Sequence, residues 1–285
     1  MRKLTLLISA ICCILFVSCT TKETIINNYN TSSPIDDNWI VINDPYGASH
    51  GQFFITQNGG LFLICYNPHF KSFDGGKTWT KFTMDSIYNF AFYEGKNNII
   101  YDFNPVSYPE IFDKLVMKST DEGNTWLKIN YPAIDTTGKK NLAVNSFDVC
   151  KNGDLLLVYN WNTYNYNDYN MCGCMFRSKD DGNSWSIVKN GNDSLNQIYF
   201  IRTGSKDHIY AQQSYYNKKT YSYDYRYISS TDNGYNWQTG SDNLFVYASI
   251  IDSAGIIYQR NKVGISKSTD NGYTYNALIT GSSAT

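Results

Sequence analysis

The chain has 285 residues, of which 42% are hydrophobic and 17% charged, and its 24 Lys and Arg nearly balance 25 Asp and Glu. This balance argues against a nucleic-acid partner, because phosphate binding needs a clustered basic surface. With 25 Tyr, 20 Gly and only four Glu, the composition favours short strands and tight turns, and it excludes a helical bundle, a collagen-like chain or a disordered chain as the main body.

The first 37 residues have the pattern of an export signal followed by a tether. Residues 1–18 combine a basic start with an apolar run too short to span a bilayer permanently, which is typical of a secretory signal. Phe16-Val17-Ser18-Cys19 resembles the lipobox of bacterial lipoproteins, which is cleaved before a cysteine that becomes acylated; an ordinary signal with an incidental cysteine is the alternative. Residues 19–37 are polar and lack apolar periodicity, which predicts a flexible tether. We therefore expect a lipid anchor on Cys19 and a location in the cell envelope, at the outer membrane.

One motif, Ser-x-Asp-x-Gly-x-(Thr/Ser/Asn)-aromatic, occurs five times within residues 38–285, at steps of 38 to 59 residues. We call it the repeat motif; its aspartates are Asp74, Asp121, Asp180, Asp232 and Asp270. Ser and Asp side chains can bond to main-chain amides in a turn, Gly adopts a conformation that strains other residues, and the aromatic can pack against a neighbouring unit. The motif therefore predicts turns that hold a fold together.

Each copy lies between the third and fourth of four predicted strands. These strands are 52–57, 61–66, 70–73 and 78–82 in unit one, and 146–150, 154–161, 174–178 and 184–188 in unit three. Four-stranded antiparallel units at this period are typical of a β-propeller, an all-β fold. Five motifs predict five blades. The strand-like segment 38–42 either closes the ring onto the last blade, which we favour, or belongs to a degenerate sixth blade.

The motif and its period resemble the Asp-box (BNR) repeats of sialidases and of many non-enzymatic propellers, over nearly all of residues 38–285. The resemblance implies that the five aspartates are structural, and that ligands bind at the opposite end of the blades, where strands two and three join. Sialidases also clamp a substrate carboxylate with three arginines and carry an Arg-Ile-Pro motif. This chain has no Arg-Ile-Pro, and we expect Arg177 and Arg202 on the wrong side. Sialidase activity is therefore not implied.

The predicted ligand end is rich in aromatic and amide side chains, notably in the expected loop 160–170 and in residues 215–225. Aromatic rings stack on sugars, while amides and carboxylates bond hydroxyls, so we predict non-catalytic binding of a glycan or another polar ligand. The candidate ligand residues are Tyr108, Trp161, Tyr164, Tyr166, Tyr169, Tyr216, Tyr223, Arg226 and Arg260. A protein interface suits the same composition, and so does a solvated rim without function.

Two other function classes stay open. A glycoside hydrolase needs facing carboxyl groups, for which Glu110, Asp168 and Asp224 are the candidates, and a scaffold in a surface protein complex would use the Tyr-rich rim as its interface. Cys172-x-Cys174 lacks a second pair and a nearby His, so we predict no metal and no cofactor.

Overall fold

The computed structural model describes residues 52–65, 68–83, 91–104, 116–135, 137, 139–165, 168–190, 197–204, 208–217, 219–240, 249–252, 254–261 and 264–280. Within these ranges it leaves the side chains of 140, 163–165, 168–171, 190, 216, 261, 279 and 280 undescribed. The predicted signal (1–18), tether (19–37) and extra strand (38–42) lie outside the described residues. No helix in the described part is long and apolar enough to cross a membrane.

The chain forms two compact units. The first contains the described residues before 91 together with 122–124, and the second contains the described residues of 91–121 and from 125 onward. The first unit holds sheet one, a four-stranded antiparallel sheet in chain order. Its strands are β1 (Gln52–Ile55), β2 (Leu61–Ile64), β3 (His69–Ser72) and β4 (Thr80–Phe82).

The second unit holds four further sheets, each of four consecutive antiparallel strands. Sheet two has β5 (Ala91–Glu94), β6 (Ile100–Phe103), β7 (Val116–Ser119) and β8 (Leu127–Lys128), with a 3-10 turn at Lys96–Asn98. Sheet three has β9 (Lys140–Val149), β10 (Leu155–Asn165), β11 (Asp168–Ser178) and β12 (Ser186–Asn190). Sheet four has β13 (Ile198–Thr203), β14 (Ile209–Asn217), β15 (Ser222–Ser230) and β16 (Gln238–Thr239). Sheet five has β17 (Ser249–Ile251), β18 (Ile257–Asn261), β19 (Gly264–Ser268) and β20 (Asn276–Thr280).

Five four-stranded antiparallel blades make the fold class an all-β propeller, as the repeat predicted. In each sheet the repeat motif joins strands three and four. The predicted strands of unit one are confirmed to within three residues. In unit three the structure differs, because β10 and β11 continue to Asn165 and Asp168 where a loop was expected.

The repeat motif closes on itself through side-chain bonds to the main chain. In the third copy, the Asp180 carboxylate accepts from the Ser178 hydroxyl at 2.8 Å and from the Ser184 amide at 2.8 Å, and its second oxygen accepts from the Ser184 hydroxyl at 2.6 Å. The Gly182 amide donates to Ser178 Oγ at 2.8 Å. Gly182 has φ +85°, and a Cβ there would lie 2.9 Å from Ile129 Cβ, so both conformation and packing require glycine.

Strand β10 is covered on both faces, as its apolar run predicted. Leu155 and Leu157 pack in a core with sheet two, whereas Leu156 and Val158 pack in a second core with Ile198 and other residues of sheet four. All of these side chains are fully buried. Alternation along β10 therefore fixes which face of sheet three meets each neighbouring sheet.

Candidate functional site

Strands two and three of sheets three and four extend far beyond those of the other sheets. Strands β10 and β11 have 11 residues each and β14 and β15 have nine, against four or five for their counterparts in sheets one, two and five. The extra residues lie at the end opposite the repeat motifs, which we call the hairpin end. Aromatic and polar side chains accumulate there on sheet four.

One face of the hairpin end of sheet four is turned toward sheet three. Ala211 on β14 and Ile228 on β15 pack in the core shared with sheet three. Because side chains alternate along a strand, Gln213 and Arg226, directly opposite each other in the register, continue this face toward the hairpin end. Tyr215 follows on the same face.

The Arg226 guanidinium is held in a fixed plane on this face. Its Nε and Nη2 atoms both donate to Gln213 Oε1, at 3.0 and 2.9 Å, and its central carbon lies 5.2 Å from the centre of the Tyr215 ring. Among the described side chains, no carboxylate oxygen lies within 4.0 Å of the Arg226 guanidinium. The Arg226 charge is therefore oriented by neutral groups.

A second group of aromatic rings lies at the hairpin end of sheet four. Tyr199 on β13 meets Tyr225 on β15 edge to face, with ring centres 5.8 Å apart. Tyr225 is 48% exposed, and Tyr223 is half-buried. The Tyr199 hydroxyl donates to the amide oxygen of Gln197. An exposed ring whose partner is anchored by a hydrogen bond is well suited to stacking.

The seam between sheets three and four at this end is made of buried amides. Asn160 Nδ2 donates to the Ile198 carbonyl at 2.6 Å, and the Ile198 amide donates back to Asn160 Oδ1 at 3.2 Å. Gln197 Nε2 donates to Asn162 Oδ1 at 3.4 Å. Gly173 leaves the space for this contact, because a Cβ there would lie 2.3 Å from Asn160 Oδ1. The seam fixes the positions of the two long hairpins.

The sequence predicts an exposed loop position for Trp161, but the structure buries its ring. It lies in β10, is only 4% exposed and belongs to the core shared with sheet two, with Lys139 Nζ 5.2 Å from its ring centre. The reason is alternation: Trp161 is on the same face as Leu155 and Leu157, which is buried. The predicted loop position is thus corrected to a core position.

The structure describes the side chains of some of the other candidate ligand residues. Tyr223, Arg226 and Arg260 are described with side chains, the first two half-buried in sheet four and the third exposed on β18. Tyr164, Tyr169 and Tyr216 lie in strands, with undescribed side chains, and Tyr108 and Tyr166 lie outside the described residues. The structure therefore places Tyr223 and Arg226 on one hairpin, on opposite faces of sheet four.

Of the candidate acids, only Asp224 has a described side chain. Its Oδ2 accepts from Asn217 Nδ2 at 2.6 Å, across the end of the β14–β15 hairpin. Asp168 lies in β11 without a described side chain, and Glu110 lies outside the described residues. No group of three or more His, Cys, Asp or Glu among the residues described is arranged to hold a metal ion.

Gln213 and Tyr199 contribute to this end of sheet four but were not predicted. Gln213 follows Ala211 at a spacing of two, so the alternation of β14 already indicates that it continues a buried face. A polar residue at such a position signals a partner inside the fold. Tyr199 gives no comparable signal, because its contact with Tyr225 depends on strand pairing across β14.

No protein-family model matches the chain, and no curated protein matches it. Among solved structures, it is similar to an α-L-arabinanase from Penicillium chrysogenum complexed with arabinobiose, at 14% identity and TM-score 0.51 over 79% of each chain. It is also similar to a protein of unknown function from Dyadobacter fermentans, at 16% identity and TM-score 0.47 over 85% of each chain. An α-L-arabinofuranosidase from Fusarium graminearum matches at 16% identity and TM-score 0.47 over 79% of each chain. At such identities the first of these similarities shows the fold alone, and the other two show nothing further about this chain.

Proposed function

We propose that this protein is a non-catalytic, glycan-binding β-propeller of the bacterial cell envelope, and that the hairpin end of sheet four is its binding surface. The observation that carries the proposal is the exposed Tyr225 ring braced by Tyr199 on one face of this hairpin, with Tyr215 and an oriented Arg226 on the other face. Rings with one apolar face and nearby amide donors and acceptors suit the alternating apolar and hydroxyl surfaces of a sugar.

We also propose that the chain is a lipoprotein anchored through an acyl group on Cys19, and that the repeat motif is the Asp-box repeat it resembles. The lipobox-like sequence before Cys19 supports the anchor. Labelled palmitate should be incorporated by the full chain and lost on Cys19→Ala; incorporation that persists in the variant would reject the anchor.

The binding proposal is tested with the detergent-solubilised full chain on an array of neutral and acidic glycans. The double substitution Tyr215→Ala and Tyr225→Ala should weaken retention roughly tenfold or more, because it removes one stacking ring from each face of the hairpin. Tyr235→Ala is the matched control, since Tyr235 is 78% exposed but lies in the repeat motif of sheet four, at the opposite end. Retention unchanged by the double substitution would reject this surface.

Two outcomes would replace the proposal. Release of reducing sugar from a retained glycan, abolished by Asp224→Asn, would establish the glycoside hydrolase alternative. Retention of no glycan, together with stable capture of a surface protein that is lost in the double variant, would establish the scaffold alternative.

A further inference from the structure

Arg226 has hydrogen-bonding capacity that its neighbours do not use. A guanidinium presents one pair of donors along Nε and Nη2 and a second pair along Nη1 and Nη2. Gln213 Oε1 occupies the first pair, at 3.0 and 2.9 Å. The second pair has no partner among the described residues. That edge has the spacing that receives two oxygens of one oxyanion.

These neighbours lower the free-energy cost of binding an oxyanion at the second donor pair. Gln213 is 3% exposed, so the amide that orients the guanidinium is itself fixed by packing. Tyr215 covers one flat side of the guanidinium. A cation already oriented and half-desolvated loses little conformational freedom on binding, which favours affinity.

An acid on the same face restricts which anions fit. Asp224 lies two residues from Arg226 on β15, and its carboxylate is bonded to Asn217 rather than to Arg226. A densely charged polyanion would meet repulsion from Asp224. A saccharide with one oxyanion per sugar and several hydroxyls fits better, because its hydroxyls can donate to Asp224 while the oxyanion accepts from Arg226.

We propose that Arg226 receives a carboxylate or sulfate group of an acidic saccharide, and that Gln213 is the residue that positions it. This inference rests on the proposed function and names the ligand class of the same surface. Arg226 contacts the ligand, whereas Gln213 acts through Arg226.

The experiment compares the affinity of the full chain for trigalacturonate with its affinity for the methyl-esterified trisaccharide. The acid form should bind roughly tenfold more tightly at low salt, since the ester cannot accept a charge-assisted pair of hydrogen bonds. The preference should shrink as ionic strength rises. A trisaccharide without carboxylates is measured with and without one sulfate group. This comparison distinguishes sulfate from carboxylate as the oxyanion that Arg226 receives.

Three variants separate charge from positioning. Arg226→Gln should bring the ratio of acid to ester affinity close to one. Gln213→Met should also lower the ratio while keeping the guanidinium charge, because it removes the acceptor that orients Arg226. Lys219→Gln removes one exposed positive charge from the same hairpin and should leave the ratio unchanged. Near-ultraviolet circular dichroism of each variant verifies that the fold is kept.

The outcomes distinguish this inference from the proposed function. Equal affinity for acid and ester, in a protein that still retains glycans through Tyr215 and Tyr225, would overturn the role of Arg226 and leave the function standing. An acid preference unchanged by Gln213→Met would overturn the positioning role. Failure to retain any glycan would overturn both.

Discussion

Asp148, on β9, is a carboxylate enclosed among three sheets. It is 8% exposed, and it accepts from the Val149 amide at 2.8 Å and the Thr203 amide at 2.7 Å. Tyr93 and Arg202 are the titratable groups beside it. Burial raises the pKa of Asp148 to about 6, and the positive charge of Arg202 and the two amide donors oppose that rise only in part.

This raised pKa predicts that Asp148 makes the fold less stable as the pH rises. The folded state holds the proton more tightly than the unfolded state, so the stabilisation is full below pH 4 and is lost as the pH passes about 6. Asp148→Asn should remove this dependence. Relative to wild type, its free energy of unfolding should rise by roughly 2–3 kcal/mol between pH 4 and pH 8, measured by urea denaturation. Parallel pH profiles for the two proteins would contradict the assignment.

At the scale of elements, one side chain in the seam between sheets three and four imitates a strand. Asn160 gives the Ile198 main chain both a donor and an acceptor, as a neighbouring strand would. Both residues are buried, so water cannot replace either bond. The contact therefore fixes the separation and register of the two sheets at their hairpin end.

Replacing Asn160 by leucine should be strongly destabilising. The substitution keeps the side-chain volume but leaves the Ile198 amide and carbonyl buried without partners, at a cost of about 2–4 kcal/mol. Asn276→Leu is the matched control, because Asn276 is exposed on β20, and it should change the free energy of unfolding by about 0.5 kcal/mol or less. Equal effects of the two substitutions would show that the bridge does not stabilise the fold.

The elements differ in how far the sequence predicts them. The turn between strands three and four is encoded locally by Ser, Asp and Gly, so its position in every sheet follows from the repeat motif. The repeat motif does not predict the lengths of β10, β11, β14 and β15. Their Tyr- and Asn-rich segments are compatible with either a loop or a strand, and cross-strand pairing determines which one forms. The burial of Trp161 and the contact of Tyr199 with Tyr225 depend on that same pairing, which is why the candidate surface shifted onto sheet four.

At the scale of the whole molecule, five copies of one turn recur along the chain. The four-stranded repeat and its propeller fold class could therefore be predicted from spacing alone. In four copies the turn also lowers the pKa of its aspartate, chiefly through the bonds donated by the residue four positions later. For Asp180 and Asp270 the pKa falls to about 2.

The repeated turn predicts a shared acid sensitivity. A carboxylate with a lowered pKa stabilises the folded state above about pH 4, and this stabilisation is lost as the pH falls through about 2. The urea midpoint should therefore fall between pH 5 and pH 2. Asp180→Asn should lower the midpoint at pH 5, and its gap to wild type should narrow towards pH 2, where about half of the wild-type carboxyl is protonated. Glu122→Gln is the control, because Glu122 is exposed in the second motif, and its urea midpoint should follow that of wild type at every pH. A difference in midpoint between Asp180→Asn and wild type that stays constant with pH would show that the carboxylate charge does not hold the turn.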